Sequence, residues 1–257
     1  MIPASMTLAT TVLTMVLAAT LGQPTQPTLP ESSLLLQRFI RAVGGEAAIR
    51  NITDMNASGR IHLPGVPDPG HFHWAVAGGG RCIFTMNFPD LGKSTFGSNG
   101  QVGWEIIQLD GETQQRELDI ETVEARRRRA NWFELALTLP ARARTFTTIG
   151  RSSFDGVDAY EVRMIDAEER PQHLFFSADS HYLLGVRLIE RGPLGPADVT
   201  IRFINWQPIG PLVLFRKVAI NHADVRLELL FDSISLEPSV DADRFEPPKL
   251  QGPPANE

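Results

Sequence analysis

A chain of 257 residues, 42% hydrophobic and 21% charged, is too apolar for a disordered tail and long enough to bury a core without disulfides or metals. Its 24 Lys and Arg against 30 Asp and Glu leave a net charge of -6, which repels polyanions and excludes nucleic acid as the main partner. The single cysteine, Cys82, excludes an internal disulfide, a multi-cysteine zinc site and a Cys-x-x-Cys redox centre.

No charged side chain occurs from Met1 to Pro30, and residues 6–21 form an apolar run followed by Gly22. The run is shorter than the roughly 20 apolar residues of a membrane span, and Ala18, Ala19, Thr20 and Gly22 offer small residues for cleavage. Residues 1–22 are therefore expected to be an export signal and 23–30 a Pro-rich linker, placing a soluble mature protein in the periplasm. Leu35, Phe39 and Val43, flanked by Leu36 and Ile40, predict an amphipathic helix stopped by Gly44-Gly45, with a short turn restarting at Glu46–Ile49. Strand signals follow at 54–63, 71–77, 81–88, 93–97 and 101–108, with Gly78-Gly79-Gly80 and Asn99-Gly100 as turns. Ile120, Val123, Ala130, Phe133 and Leu137 predict a second helix over 119–137, ended by Pro140. Strands resume at 144–149, 158–165, 172–178, 182–190, 198–206, 212–221 and 225–236, and the Pro-rich residues 249–257 read as a flexible tail.

Helices do not alternate with strands, which disfavours a parallel sheet. Phe72, Trp74 and Val76 share one side of their strand, as do Cys82, Phe84, Met86 and Phe88 on theirs, and Val225, Leu227, Leu229 and Phe231 on theirs. A helix is ~10–12 Å across and strands lie ~4.8 Å apart, so two helices cover only part of such a face. The expected fold is mainly β (α+β): a large curved antiparallel sheet forming an incomplete barrel, with two main helices on its concave face and residues 31–248 as one half-barrel domain. The uncovered apolar face must curl on itself or hold a hydrophobic ligand.

Several polar features compete for a role. His71-x-His73 puts two imidazoles on one side of a strand, yet no further ligand follows at metal spacing, and a solvated strand face accounts for the pair. Cys82 lies in apolar alternation, as a buried thiol does. Asn51-Ile-Thr53 and Asn56-Ala-Ser58 match a short glycosylation sequon that arises readily by chance. No nucleophile elbow, zinc helix, phosphate loop or dinucleotide fingerprint is present, so neither catalysis nor a cofactor is expected. Arg126, Arg127, Arg128 and Arg129 point around ~300° of a helix. Pairing with Glu121 and Glu124 on a solvated face is one reading of them, and contact with a lipid headgroup, a membrane surface or a protein partner is the other.

The strings RAVGGEAAIRNITDMNASGRI (41–61), SNGQVGWEI (98–106), FDGVDAYEVRM (154–164), FFSADSHYLLGVR (175–187) and DADRFEPP (241–248), with the order of elements, resemble the periplasmic outer-membrane lipoprotein carrier and lipoprotein-sorting superfamily. The resemblance spans most of the chain beyond the export signal. It implies an incomplete antiparallel barrel whose cavity receives acyl chains, no catalytic motif, and ligand contacts from scattered aromatic and aliphatic side chains. Trp74, Phe84 and Trp104 are the counterparts by strand position. The uncharged start of the signal and the arginine cluster depart from the family pattern.

These readings converge on a monomeric, non-enzymatic carrier or chaperone for an acyl chain, another hydrophobic ligand or a lipoprotein. Phe72, Trp74, Phe84, Met86, Trp104 and Phe231 are its candidate ligand wall. A protein-binding sensor using the same half-barrel, and a hydrolase with an unrecognised site, are the alternatives.

Overall fold

Alternating side chains and tight glycine turns organise nearly the whole chain into strands. The computed structural model describes residues 28–130, 135–167, 169–192, 195–222, 225–237 and 241–248; the expected export signal and the tail at 249–257 lie outside them. The strands are β1 (Met55–His62), β2 (Gly70–Ala77), β3 (Arg81–Phe88), β4 (Gly92–Asn99), β5 (Gly103–Leu109), β6 (Glu112–Leu118), β7 (Ala143–Phe154), β8 (Val157–Asp166), β9 (Pro171–Ser177), β10 (Leu183–Gly192), β11 (Gly195–Ile209), β12 (Leu212–His222) and β13 (Val225–Ser235). They form one 13-stranded antiparallel sheet in the order β6-β5-β4-β3-β2-β1-β13-β12-β11-β10-β9-β8-β7. Each half of the chain is thus a meander, and pairing of β1 with β13 joins the two.

The free edges are β6 and β7, consecutive in sequence, and the chain between them forms α3 (Ile120–Ala130) and α4 (Leu135–Arg142). The sheet does not close into a barrel through hydrogen bonds; a helical crossover links its two edges instead. Edge strand β6 carries Glu112, Arg116 and Glu117, and β7 carries Arg144 and Arg151, charges that discourage pairing with another chain.

Among the described residues four α-helices occur where two main ones are expected. The first region gives α1 (Ser32–Ala42) and the short α2 (Glu46–Arg50), as its glycine pair implies. The expected 119–137 helix is divided into α3 and α4, with residues 131–134 outside the described part. Pro140 sits inside α4 rather than ending it, because it removes only its own N–H bond and the helix stops two residues later at Arg142. Strand β6 is an addition to the expected set.

Helix α1 is clamped at both ends. Ser32 Oγ donates to the Phe146 carbonyl of β7 at 2.6 Å, and the Val213 N–H of β12 donates to the Val43 carbonyl at 3.1 Å. Just beyond, Gly44 adopts φ 123°, where a Cβ would stand 2.6 Å from the Pro211 carbonyl oxygen. Glycine is required there by both conformation and space.

The register sorts the side chains into two faces. Trp74 stands opposite Phe84, and Phe84 opposite Phe96, on the face that packs against the helices; call this the inner face. Leu35, Leu36 and Phe39 of α1, Ile49 of α2, and Ala136 and Leu139 of α4 join its core. The outer face holds two smaller clusters, one of Ala75, Ala77 and Phe245, the other of Phe154, Ala159 and Phe175.

Candidate functional site

Rings on the inner face touch one another from β3 across to α1. Trp74 packs edge-on to Phe84 with centroids 4.8 Å apart, Phe84 lies 6.1 Å from Phe72, and Phe72 packs edge-on to Phe231 at 5.1 Å. Phe231 continues to Phe215 at 6.0 Å, Phe215 to Trp206 at 5.3 Å, and Trp206 to Phe39 of α1 at 6.0 Å. Such offset and edge-to-face contacts are the favourable arrangement for aromatic pairs.

Exposure varies along this run. Phe72, Phe231 and Phe215 are buried, whereas Trp74, Phe84 and Met86 are half-buried. A second half-buried set packs on the same core: Leu188, Phe203, Val218, Ile220 and Leu227. Their pairing aligns them, Phe203 opposite Val218 and Ile220 opposite Leu227, toward the His222–Val225 ends of β12 and β13. That is the end of the sheet away from Pro211, where α1 is clamped. The apolar strip is therefore buried at its centre and reaches solvent both at that end and over Trp74, Phe84, Tyr182 and Trp206, which are half-buried. An α-helix of eleven residues spans ~16 Å, the width of three to four strands, so α1 cannot cover it all.

The six residues expected to form a ligand wall do not all meet. Phe72, Trp74, Phe84, Met86 and Phe231 share the inner face, but Trp104 lies on the outer one. It stands opposite Gly97, where a Cβ would come within 2.2 Å of the indole, and its Nε1–H donates to the Phe245 carbonyl at 3.3 Å. The reason is parity: Glu105, not Trp104, is the β5 residue opposite Phe96.

Glu105 is a buried carboxylate on the helix-covered face, only 6% exposed. Arg126 of α3 donates to its Oε1 at 2.6 Å, and Arg116 of β6 donates through two nitrogens to Oε2 at 2.8 and 2.5 Å. The Arg126 guanidinium also sits 5.0 Å from the Phe96 ring centroid. Arg126 thus fastens α3 to the sheet, its ionic partner being Glu105 rather than Glu121 or Glu124. The side chains of Arg127, Arg128 and Arg129 lie outside the described part. Burial alone raises the Glu105 pKa, but the hydrogen bonds and charges of Arg126 and Arg116 outweigh it and hold the carboxyl below its ordinary value. Stability from this site is accordingly complete above pH ~4.3, where free glutamate ionises, and is lost as pH falls through the lower folded value. Glu105→Gln is expected to cost roughly 1–3 kcal/mol in urea denaturation at pH 7, limited because Arg116 is largely exposed. The deficit should shrink at pH 3; a deficit independent of pH refutes the ionic role.

His71 and His73 share the outer face. His73 Nε2 lies 2.6 Å from Asn56 Oδ1, and burial together with the nearby Arg244 lowers its pKa. Among the described residues no cluster of His, Cys, Asp and Glu is arranged to hold a metal. Cys82 is buried on the inner face.

No family model matches the chain, and no curated protein matches its sequence. Solved structures do match. A LolA superfamily protein from Nitrosomonas europaea aligns with TM-score 0.54 at 12% identity over 85% of this chain and 99% of its own. A DUF1329 family protein from Desulfovibrio piger aligns with TM-score 0.56 at 12% identity over 85% and 98%. A domain named for outer-membrane lipoprotein sorting, from Vibrio parahaemolyticus, aligns with TM-score 0.54 at 12% identity over 83% and 97%. The chain therefore has a LolA-like fold: an open antiparallel sheet with helices packed on one apolar face.

Proposed function

We propose that the protein is an exported, non-enzymatic carrier that shields an acyl chain, free or attached to a lipoprotein, in the periplasm. The observation that carries this reading is the inner apolar strip, lined by half-buried Trp74, Phe84, Met86, Phe203, Val218, Ile220 and Leu227 beside a buried aromatic centre. Binding draws on apolar burial at ~25 cal/mol per Å2, so some 300 Å2 of hydrocarbon supplies roughly 7 kcal/mol before the cost of ordering the ligand. The middle of the strip is filled by the protein's own rings, so a chain displaces half-buried side chains as it advances. The shared fold with a LolA superfamily protein and a lipoprotein-sorting domain supports the same reading.

The test is titration of delipidated full-length protein with a pyrene-labelled fatty acid, together with native mass spectrometry of gently purified protein. Saturable uptake of one probe per chain and co-purifying lipid are expected. A protein that emerges without lipid and takes up no probe refutes the carrier and leaves the half-barrel as a protein-binding module.

A further inference from the structure

We propose that the hollow between α1 and the β9–β10 turn is an anion site that receives the phosphate or carboxylate headgroup of an amphiphile. The inference rests on the carrier reading and names its substrate class. The hollow measures about 410 Å3 and is lined by Arg38, Arg41, Ala42 and His181. Arg38 and Arg41 are three residues apart on α1 and so project from one side of the helix, the side bearing the hollow. Many arginines of this acidic chain find carboxylates, Arg60 with Asp232, Arg116 and Arg126 with Glu105, Arg170 with Asp166, Arg202 with Asp155 and Arg226 with Glu228, while others turn to a carbonyl or a ring, as Arg81 does to the Gly78 carbonyl and Arg187 to Phe154 and Phe175. Among the described residues the Arg38 and Arg41 side chains have no carboxylate within ion-pair reach, although Arg38 is half-buried. His181 lines the opposite side of the hollow and adopts φ 63°. A half-buried cation without a carboxylate partner incurs desolvation that an anion in the hollow would offset.

Each polar wall is backed by a ring. Arg38 precedes Phe39, which meets Trp206 at 6.0 Å, and His181 precedes Tyr182, stacked on Trp206 at 5.0 Å. Among the described residues the buried Trp206 indole N–H has no hydrogen-bond partner. A charged head held by Arg38, Arg41 and His181 thus borders the end of the aromatic run at which α1 is clamped, and its tail continues among Trp206, Phe39 and Tyr182.

The experiment compares wild type with the Arg38→Gln/Arg41→Gln double variant by calorimetric titration of dodecyl phosphate, uncharged monolaurin and inorganic phosphate. Dodecyl phosphate is expected to bind wild type more tightly than monolaurin does, and the double variant to weaken it about tenfold or more while leaving monolaurin unchanged. Lysine at both positions should restore much of the loss, since it keeps the charge. Equal affinity of wild type for dodecyl phosphate and monolaurin overturns the anion site while the carrier stands, as does equal weakening of both by the double variant. Arginine-dependent binding of inorganic phosphate without binding of either amphiphile supports the anion site as one for free phosphate and overturns the carrier.

Discussion

Trp74→Asp is expected to abolish acyl-probe uptake while leaving the sheet's far-ultraviolet circular dichroism largely intact. Trp74 sits mid-strand in β2 with Ala57 and Phe84 as its cross-strand neighbours, and its half-buried ring is where the aromatic run meets solvent over β3. A carboxylate placed there confronts any entering hydrocarbon with a charge that must be desolvated, at a cost of several kcal/mol, comparable to the whole gain from acyl burial. Ordinary β-pairing does not depend on the indole: both flanking ladders are made by backbone groups, and the side chain can tilt outward at partial exposure. Trp74→Ala separates charge from shape, and it should weaken uptake several-fold without abolishing it. Undiminished uptake in Trp74→Asp removes β2 and β3 from the ligand wall and confines any site to Phe203, Val218, Ile220 and Leu227.

That second set marks the limit of what a one-dimensional reading reaches. Alternation in β2, β3 and β13 was legible because each strand is apolar on one side, so Phe72, Trp74, Phe84, Met86 and Phe231 could be assigned a common face before any pairing was known. Leu188, Phe203, Val218 and Ile220 become a strip only when β10, β11 and β12 pair in their observed register. Strand β5 defeats alternation outright. Its buried residues Gly103, Trp104 and Glu105 are consecutive, one face capped by Phe245 and the other holding a glutamate whose partners lie 11 and 21 residues away. Strand β6, ETQQREL, has almost no apolar side chain because it is an edge; its one signal was the turn Asp110-Gly111, whose φ values of 50° and 82° suit a tight hairpin. Polarity that reads as a loop is here protection of an exposed strand.

Phe245→Ala should be the most damaging single truncation on the outer face and should leave acyl binding untouched. The segment Asp241–Pro248 runs over β2 to β6 as a strap anchored in the core by Phe245, fully buried against Ala75, Ala77 and Ile83. The alanines leave the slot that the ring fills, and the Arg81 guanidinium sits 5.7 Å from its centroid. Flanking bonds depend on that anchor: Trp104 to the Phe245 carbonyl, Asn99 to Glu246 at 3.0 Å and Gln115 to the Pro248 carbonyl at 3.0 Å. Removing a fully buried phenylalanine costs ~3–5 kcal/mol, partly recovered here because a strap can lift and let water in. The urea midpoint should fall accordingly, proteases should cleave near residue 241, and fluorescence of the uncovered Trp104 should shift to the red. Because the strap and the apolar strip lie on opposite faces, probe affinity measured well below the unfolding transition should match wild type. If affinity falls in step with stability, the ligand is held by the whole sheet or by its outer side, and assigning binding to the helix-covered face is wrong.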